Sequence, residues 1–194
     1  MSITQSTTLP LQYGMFTIAY HKSEAGDCVS ISFGDVTVGS PIVRFHSSCL
    51  FGESLHALDC DCAKQLTSTL KLIVEAGSGV VVYEYAEGRG IGLENKIRAL
   101  AIQRSRNIDT VEAFRVMGFN PDVRLYQVSI EALKDLNVSP VIKLASQNPH
   151  KQAAIEGAGY RILERVHPEI KVTEYNKREL LVKKNKLGYA IEDI

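Results

Sequence analysis

The stretch GVVVYEYAEGRGIG, residues 79–92, decides how the chain around it folds. Its first half is a β-branched run bounded by glycine and a polar turn, the pattern of a strand buried on both faces. Its second half is a glycine-rich turn that hands over to helical spacing. From Leu93 to about Arg106 a helix is expected, carrying Ile97, Leu100 and Ala101 inward. Upstream, Ala63, Leu66, Leu70, Ile73 and Val74 share one helical face, and Gly77 stops that helix. Earlier still the pattern is that of strands: MFTIAY (15–20), CVSISF (28–33) and PIVRF (41–45), punctuated by Gly14, Gly26, Gly34 and Pro41. Downstream, Asp109 or Thr110 caps a short helix that ends at Gly118. Then follow strand LYQV (125–128), helix SIEALKDL (129–136), strand PVIKLA (140–145), loop SQNPHK (146–151), helix QAAIEGAG (152–159) and strand YRILERV (160–166). The basic tail, 175–186, reads as helix, with loop as the even alternative. This alternation implies an α/β fold, a mixed sheet flanked by helices, in a single domain over 1–194. There is no internal repeat and no low-complexity linker.

The composition narrows the class. With 194 residues, 45% of them hydrophobic, the chain can bury a full core. Basic and acidic side chains balance at 22 each, so a general nucleic-acid or membrane field is not expected. No apolar run approaches the roughly 20 residues that span a bilayer. The first residues, MSITQSTTLPLQYG, lack the basic-then-apolar order of a signal peptide. A cytoplasmic protein is expected, where clustered cysteines point to metal or catalysis rather than to disulfides.

That chemistry concentrates in HSSCLFGESLHALDCDC (46–62). Cys60 and Cys62 form a Cys-x-Cys pair, too close for an unstrained disulfide, and Cys49 precedes them by ten intervening residues. Three thiolates suit zinc, and a three-ligand site leaves a corner for water, the catalytic rather than the structural arrangement. Cys28, alone in a strand, reads as a core thiol. His46 is expected in the pocket rather than on the metal. In EGRGIG the glycines permit close backbone approach, and Arg89 can fork onto a phosphate or a base edge. Glu87 either accepts from an amidine-like base edge or is merely solvated. The turn is not a Walker loop, since no Gly-Lys-Ser/Thr follows. Asp122 and Arg124 sit on alternate residues, offering an acid beside a guanidinium; a surface ion pair is the default reading. SQNPHK ends a strand, where α/β sheets commonly bind ligands, and Lys151 closes it; a capped loop is the plain alternative.

Taken in order, these pieces resemble one family, GTP cyclohydrolase II. The resemblance runs from about Leu9 to Gly188. It is carried by VRFHSSCLFGESLHALDCDC (43–62), EGRGIGLENKIRA (87–99), DTVEA (109–113), the Gly118-Phe119-x-x-Asp122-x-Arg124 segment and QNPHK (147–151). The resemblance implies zinc on Cys49, Cys60 and Cys62, opening of the imidazole ring of GTP, and magnesium with the substrate triphosphate. It implies nucleotide contacts from Arg44, Phe45, His46, Ser47, Ser48 and Gln65, then from Glu87, Gly88 and Arg89, and from Thr110, Ser146 and Lys151. It assigns proton acceptance to Asp122 and assistance at the α-phosphorus to Arg124, and it implies a homodimer.

Four positions depart from the family pattern. Ser48 stands where glutamate is usual, Leu100 where a tyrosine hydroxyl helps release the formyl carbon, Val123 where glutamate is common, and Ser146 where threonine is usual. Leu100 raises arrest at the formamidopyrimidine as an outcome, and Ser48 with Val123 raises a different nucleotide or nucleobase as substrate. A catalytically idle nucleotide-binding protein is the reading from another class.

Overall fold

The computed structural model describes residues 2–170, 172–192 and 194. The valine run is the middle strand, β5 (Gly79–Glu84), of a seven-stranded sheet. The others are β1 (Ser2–Leu11), β2 (Gly14–Ser23), β3 (Gly26–Phe33), β4 (Ile42–Ser47), β6 (Val141–Leu144) and β7 (Arg161–Arg165), in the order β1-β2-β3-β5-β4-β6-β7. β1 through β3 and β5 pair antiparallel, whereas β4, β6 and β7 pair parallel, so the sheet is mixed and the fold is α/β.

Alternation along β5 shows why it is apolar throughout. Val80 and Val82 pack with Phe45, Leu133, Ile142, Leu144 and Ile155 on one face. Val81 packs with Phe16, Ile42 and Ile73 on the other. Helices α4 (Gln127–Asp135) and α5 (Pro149–Gly157) contribute Leu133 and Ile155 to the first group, and α1 (Cys62–Ala76) contributes Ile73 to the second. Each of these large side chains stabilises the fold by about 1.5–3 kcal/mol through removal from water. The expected α1 face is the one that packs, since Leu66, Leu70 and Val74 lie against the second cluster. Gly77 ends the helix at φ +81, where a side chain would be strained. Cys28 is buried in the first cluster, and burial pushes its thiol up to about 12, as suits an inert core thiol.

By contacts the chain divides into two compact units. The first holds the sheet with α4, α5 and most of α1: residues up to His46, Lys64–Tyr85 and Tyr126–Glu169. The second takes Ser47–Ala63, Ala86–Leu125 and the chain from Ile170 onward. It contains α2 (Gly92–Arg106), α3 (Thr110–Val116) and α6 (Lys177–Leu187), so the basic tail is helical. Its apolar centre joins Ile91, Ala99, Ala113 and Phe114 with Ile102, Ile108, Met117 and Phe119. Asp109 caps α3 through a capping box with Glu112.

Three local expectations change. LYQV is not a strand. Tyr126 takes a left-handed backbone (φ 57), stacks its ring on Phe45 and leads straight into α4 at Gln127. The inward face of α2 is Ala99 with Ile102, not Ile97 and Ala101; Ile97 is 52% exposed and Ala99 1%. β1 joins the expected strands although both of its faces are exposed, because its pairing with β2 rather than apolar alternation holds it. In the first unit His21 bridges Ser30 (Nε2, 2.8 Å) and Asp135 (Nδ1, 3.3 Å). These are the residue types of a hydrolytic triad. Ser30, however, is wholly buried on a strand paired on both sides, so no substrate reaches it.

Candidate active site

In the second unit the chain after β4 makes a π-helical turn, Leu50–Ser54, with Cys49 as its cap and the Gly52 N–H donating to Cys49 Sγ at 3.3 Å. After ten intervening residues the chain returns with Cys60, just before α1, and Cys62, its first residue. The Sγ atoms of Cys49 and Cys60 lie 3.6 Å apart, and all three cysteines offer ligand atoms within 4.8 Å of one another. A tetrahedron with metal–sulfur bonds of about 2.3 Å has edges of about 3.8 Å, so this donor set fits zinc. Gly52 makes the fit possible. A Cβ there would stand 2.2 Å from Cys60 Sγ and 3.3 Å from Cys49 Sγ.

The electrostatics favour a thiolate. Hydrogen bonds from Cys60 and then Cys62 hold Cys49 far below the ordinary thiol range, against its burial and with help from the Gly52 N–H and Lys96. The same sharing pushes Cys60 up to about 11 and Cys62 well above its ordinary value. Lys96, on α2, was not singled out by its sequence. Its Nζ donates to Cys49 Sγ (3.3 Å) and to Glu87 Oε1 (2.6 Å), and it sits 4.7 Å from the centre of the Phe51 ring. Burial opposes that charge, but the Glu87 hydrogen bond and the Cys49 thiolate keep the ammonium above its usual range. Glu87 is thus neither solvated nor turned outward, since it also accepts from Leu50 N at 2.7 Å. Lys96 lies within EGRGIGLENKIRA, about one helical turn past Gly92, and its place on the α2 face toward Glu87 is the signal that could have marked it.

The EGRGIG turn packs closely. Gly88 and Arg89 are both left-handed (φ 63 and 56), and a Cβ on Gly90 would meet Val123 Cγ2 at 2.9 Å. Val123 N donates to Arg89 O, so the segment bearing Asp122 and Arg124 lies along this turn. Asp122 and Arg124 form a bidentate pair, with Nε to Oδ1 at 2.8 Å and Nη2 to Oδ2. Their side chains are only 7% and 8% exposed, so the pair is buried rather than superficial. Burial pushes Asp122 up, and Arg124 outweighs it, holding the carboxylate below its usual range. Arg124 also donates to Ser47 Oγ at 3.1 Å. Ser48 is half-buried beside it, and Leu100 is half-buried on α2. Arg89 lies over the Phe114 ring and pairs with Glu179, which also accepts from Thr110.

The remaining candidates lie in the first unit. Arg44 donates to His46 Nδ1 (3.1 Å), Gln65 Oε1 (2.6 Å) and Ala145 O (3.0 Å), which joins three predicted nucleotide contacts into one buried polar chain. Because His46 Nδ1 accepts, its ring proton belongs on Nε2. The ring itself stacks on Tyr83. Phe45 places its ring in the core and presents its carbonyl to Lys151 Nζ at 2.7 Å. Ser146 Oγ accepts from Asn148 N at 3.1 Å.

The family described as GTP cyclohydrolase II matches residues 2–167. The chain belongs to the GTP cyclohydrolase II family. It is a hydrolase of that class. A GTP cyclohydrolase-2 of Tolumonas auensis is 41% identical over 196 residues, covering 100% of this chain and 98% of its own. One from Azotobacter vinelandii is 40% identical, over 96% of this chain and 90% of that protein. The riboflavin biosynthesis protein RibBA of Aquifex aeolicus is 43% identical over 95% of this chain but only 46% of its own length. No helix among the described residues is long and apolar enough to cross a membrane.

Proposed function

We propose that this GTP cyclohydrolase II family member opens the imidazole ring of a purine nucleotide, GTP foremost, as a step of riboflavin biosynthesis. The observation that carries the reading is the trio of sulfurs, with its 3.6 Å Sγ–Sγ edge and its lysine-supported thiolate. Zinc on Cys49, Cys60 and Cys62 would supply water activated for attack at neutral pH.

The chain's own groups do the rest. Asp122, kept ionised by Arg124, accepts a proton as water adds to the carbon between the two imidazole nitrogens. Arg124 brings its guanidinium to the α-phosphorus, where the oxygen of water replaces the departing pyrophosphate and leaves a monophosphate on the nucleoside. Arg44, Phe45, His46, Ser47, Ser48 and Gln65 serve as nucleotide contacts, Glu87, Gly88 and Arg89 read the base and contact phosphate, and Thr110, Ser146 and Lys151 complete the set. Magnesium accompanies the triphosphate, as hard oxygen ligands require. The protein works as a homodimer, which light scattering checks.

Leu100 supports a second reading of the product. Its side chain neither donates nor accepts, so ring opening can halt at the formamidopyrimidine. Ser48 and Val123, which remove two carboxylates, leave room for another nucleotide or nucleobase. The test is zinc-loaded protein incubated with GTP and with other purine nucleotides, with mass analysis of every product and a formate assay. Absence of any ring-opened product from every nucleotide would refute the proposal.

A further inference from the structure

Helix α6 begins at Lys177, beyond the residues matched by the family, yet its side chains reach groups already placed at the candidate site. Glu179 is the most consequential. Its Oε1 accepts from Arg89 Nη2 at 2.6 Å, and its Oε2 accepts from Thr110 Oγ1 at 2.7 Å. One carboxylate therefore fixes two residues carried by different elements, the EGRGIG turn and the first position of α3. The helix is itself held. Leu180 and Val182 are buried, and Lys183 donates to Asp61, between Cys60 and Cys62, at 2.7 Å.

We propose that Glu179 is a positioning residue for the nucleotide, setting the direction of the Arg89 guanidinium and the polarity of the Thr110 hydroxyl. The inference rests on the ring-opening reading above. Arg89 projects from a left-handed backbone that non-glycine residues seldom adopt, so the surrounding contacts must hold this turn in place. Phe114 lies against the guanidinium at 5.9 Å, Glu179 accepts from Nη2 at 2.6 Å and Pro121 O from Nη1 at 3.5 Å, and the guanidinium's further N–H donors are available to a ligand's anionic oxygen. Thr110 has one hydroxyl proton. Two oxygens compete for it, Glu179 Oε2 at 2.7 Å and Gln103 Oε1 at 3.2 Å, and the shorter, charge-assisted contact takes it, which leaves the hydroxyl oxygen as an acceptor toward a ligand.

The test is steady-state kinetics with GTP for Glu179→Ala and Glu179→Gln, with melting midpoints measured alongside. Removing the carboxylate is expected to raise KM about tenfold, the size of one lost charge-assisted hydrogen bond, with kcat held within about twofold. Glu179→Gln keeps an acceptor for Arg89 and should recover part of that loss; it carries the test should the alanine variant fail to fold. In an Arg89→Ala/Thr110→Ala background the further loss of Glu179 should change KM less than about twofold, because nothing remains for it to position. An unchanged KM, a lowered KM, or an effect that persists in that background overturns the proposal. A melting midpoint that falls while KM stays put would mark Glu179 as purely structural and would overturn it too. Wild-type protein that opens the ring of no purine nucleotide is a different result: it defeats the ring-opening reading, and this inference falls with it.

Discussion

Replacing Gly52 by alanine adds one carbon where the three sulfurs meet. That carbon would lie 2.2 Å from Cys60 Sγ, with Cys49 Sγ and Cys62 Cβ each at 3.3 Å. The backbone of Gly52 is tied by its own N–H to Cys49, so the turn cannot easily swing away. Cys60 Sγ must instead retreat by about 1 Å, away from the other two sulfurs. Zinc–ligand distances tolerate about 0.2 Å, so the displaced sulfur falls outside bonding range and the metal keeps two thiolates of three. A zinc affinity at least about a hundredfold weaker is expected, ~3 kcal/mol of binding free energy. The assay is competition against a chelator of known affinity, with zinc content per chain measured on the same samples. Circular dichroism of the metal-free forms separates metal loss from unfolding. Wild-type zinc affinity in a folded Gly52→Ala protein would refute the idea that these sulfurs converge on one ion over this glycine.

Other outcomes follow from the same geometry. Lys96→Met removes the cation shared by Cys49 and Glu87 and should weaken zinc binding by about 10–100-fold, read by the same competition; unchanged affinity would count against Lys96 as a supporting group. Arg124→Met leaves Asp122 buried without its partner and should cost about 3–5 kcal/mol in urea unfolding, whereas Asp122→Asn/Arg124→Met should recover much of that loss. Asp122 is held below its usual value, so its contribution is complete above the unfolded carboxylate range near pH 4 and is lost as the pH falls through the lower folded value. Arg124→Met should therefore lose that part of the acid dependence. Leu100→Tyr should raise the formate released per ring opened if the missing hydroxyl limits that step, and equal formate from both proteins would remove Leu100 from the account.

The chain by itself determined the elements whose pattern is local. The valines of β5, the α1 face from Leu66 to Val74 and the stops at Gly77 and Gly118 follow from periodicity and backbone freedom, which need only near neighbours. The three cysteines were legible for a related reason, because thiol spacing is itself the chemistry. Tertiary structure alone decided what lies beside them. Lys96 reaches Cys49 across 47 residues, Glu179 reaches Arg89 across 90, and Lys183 reaches Asp61 across 122. It also decided that Asp122 and Arg124 are buried and that Tyr126 starts a helix instead of ending a strand. A charge pair carries no period, and its depth depends on what the rest of the chain folds over it.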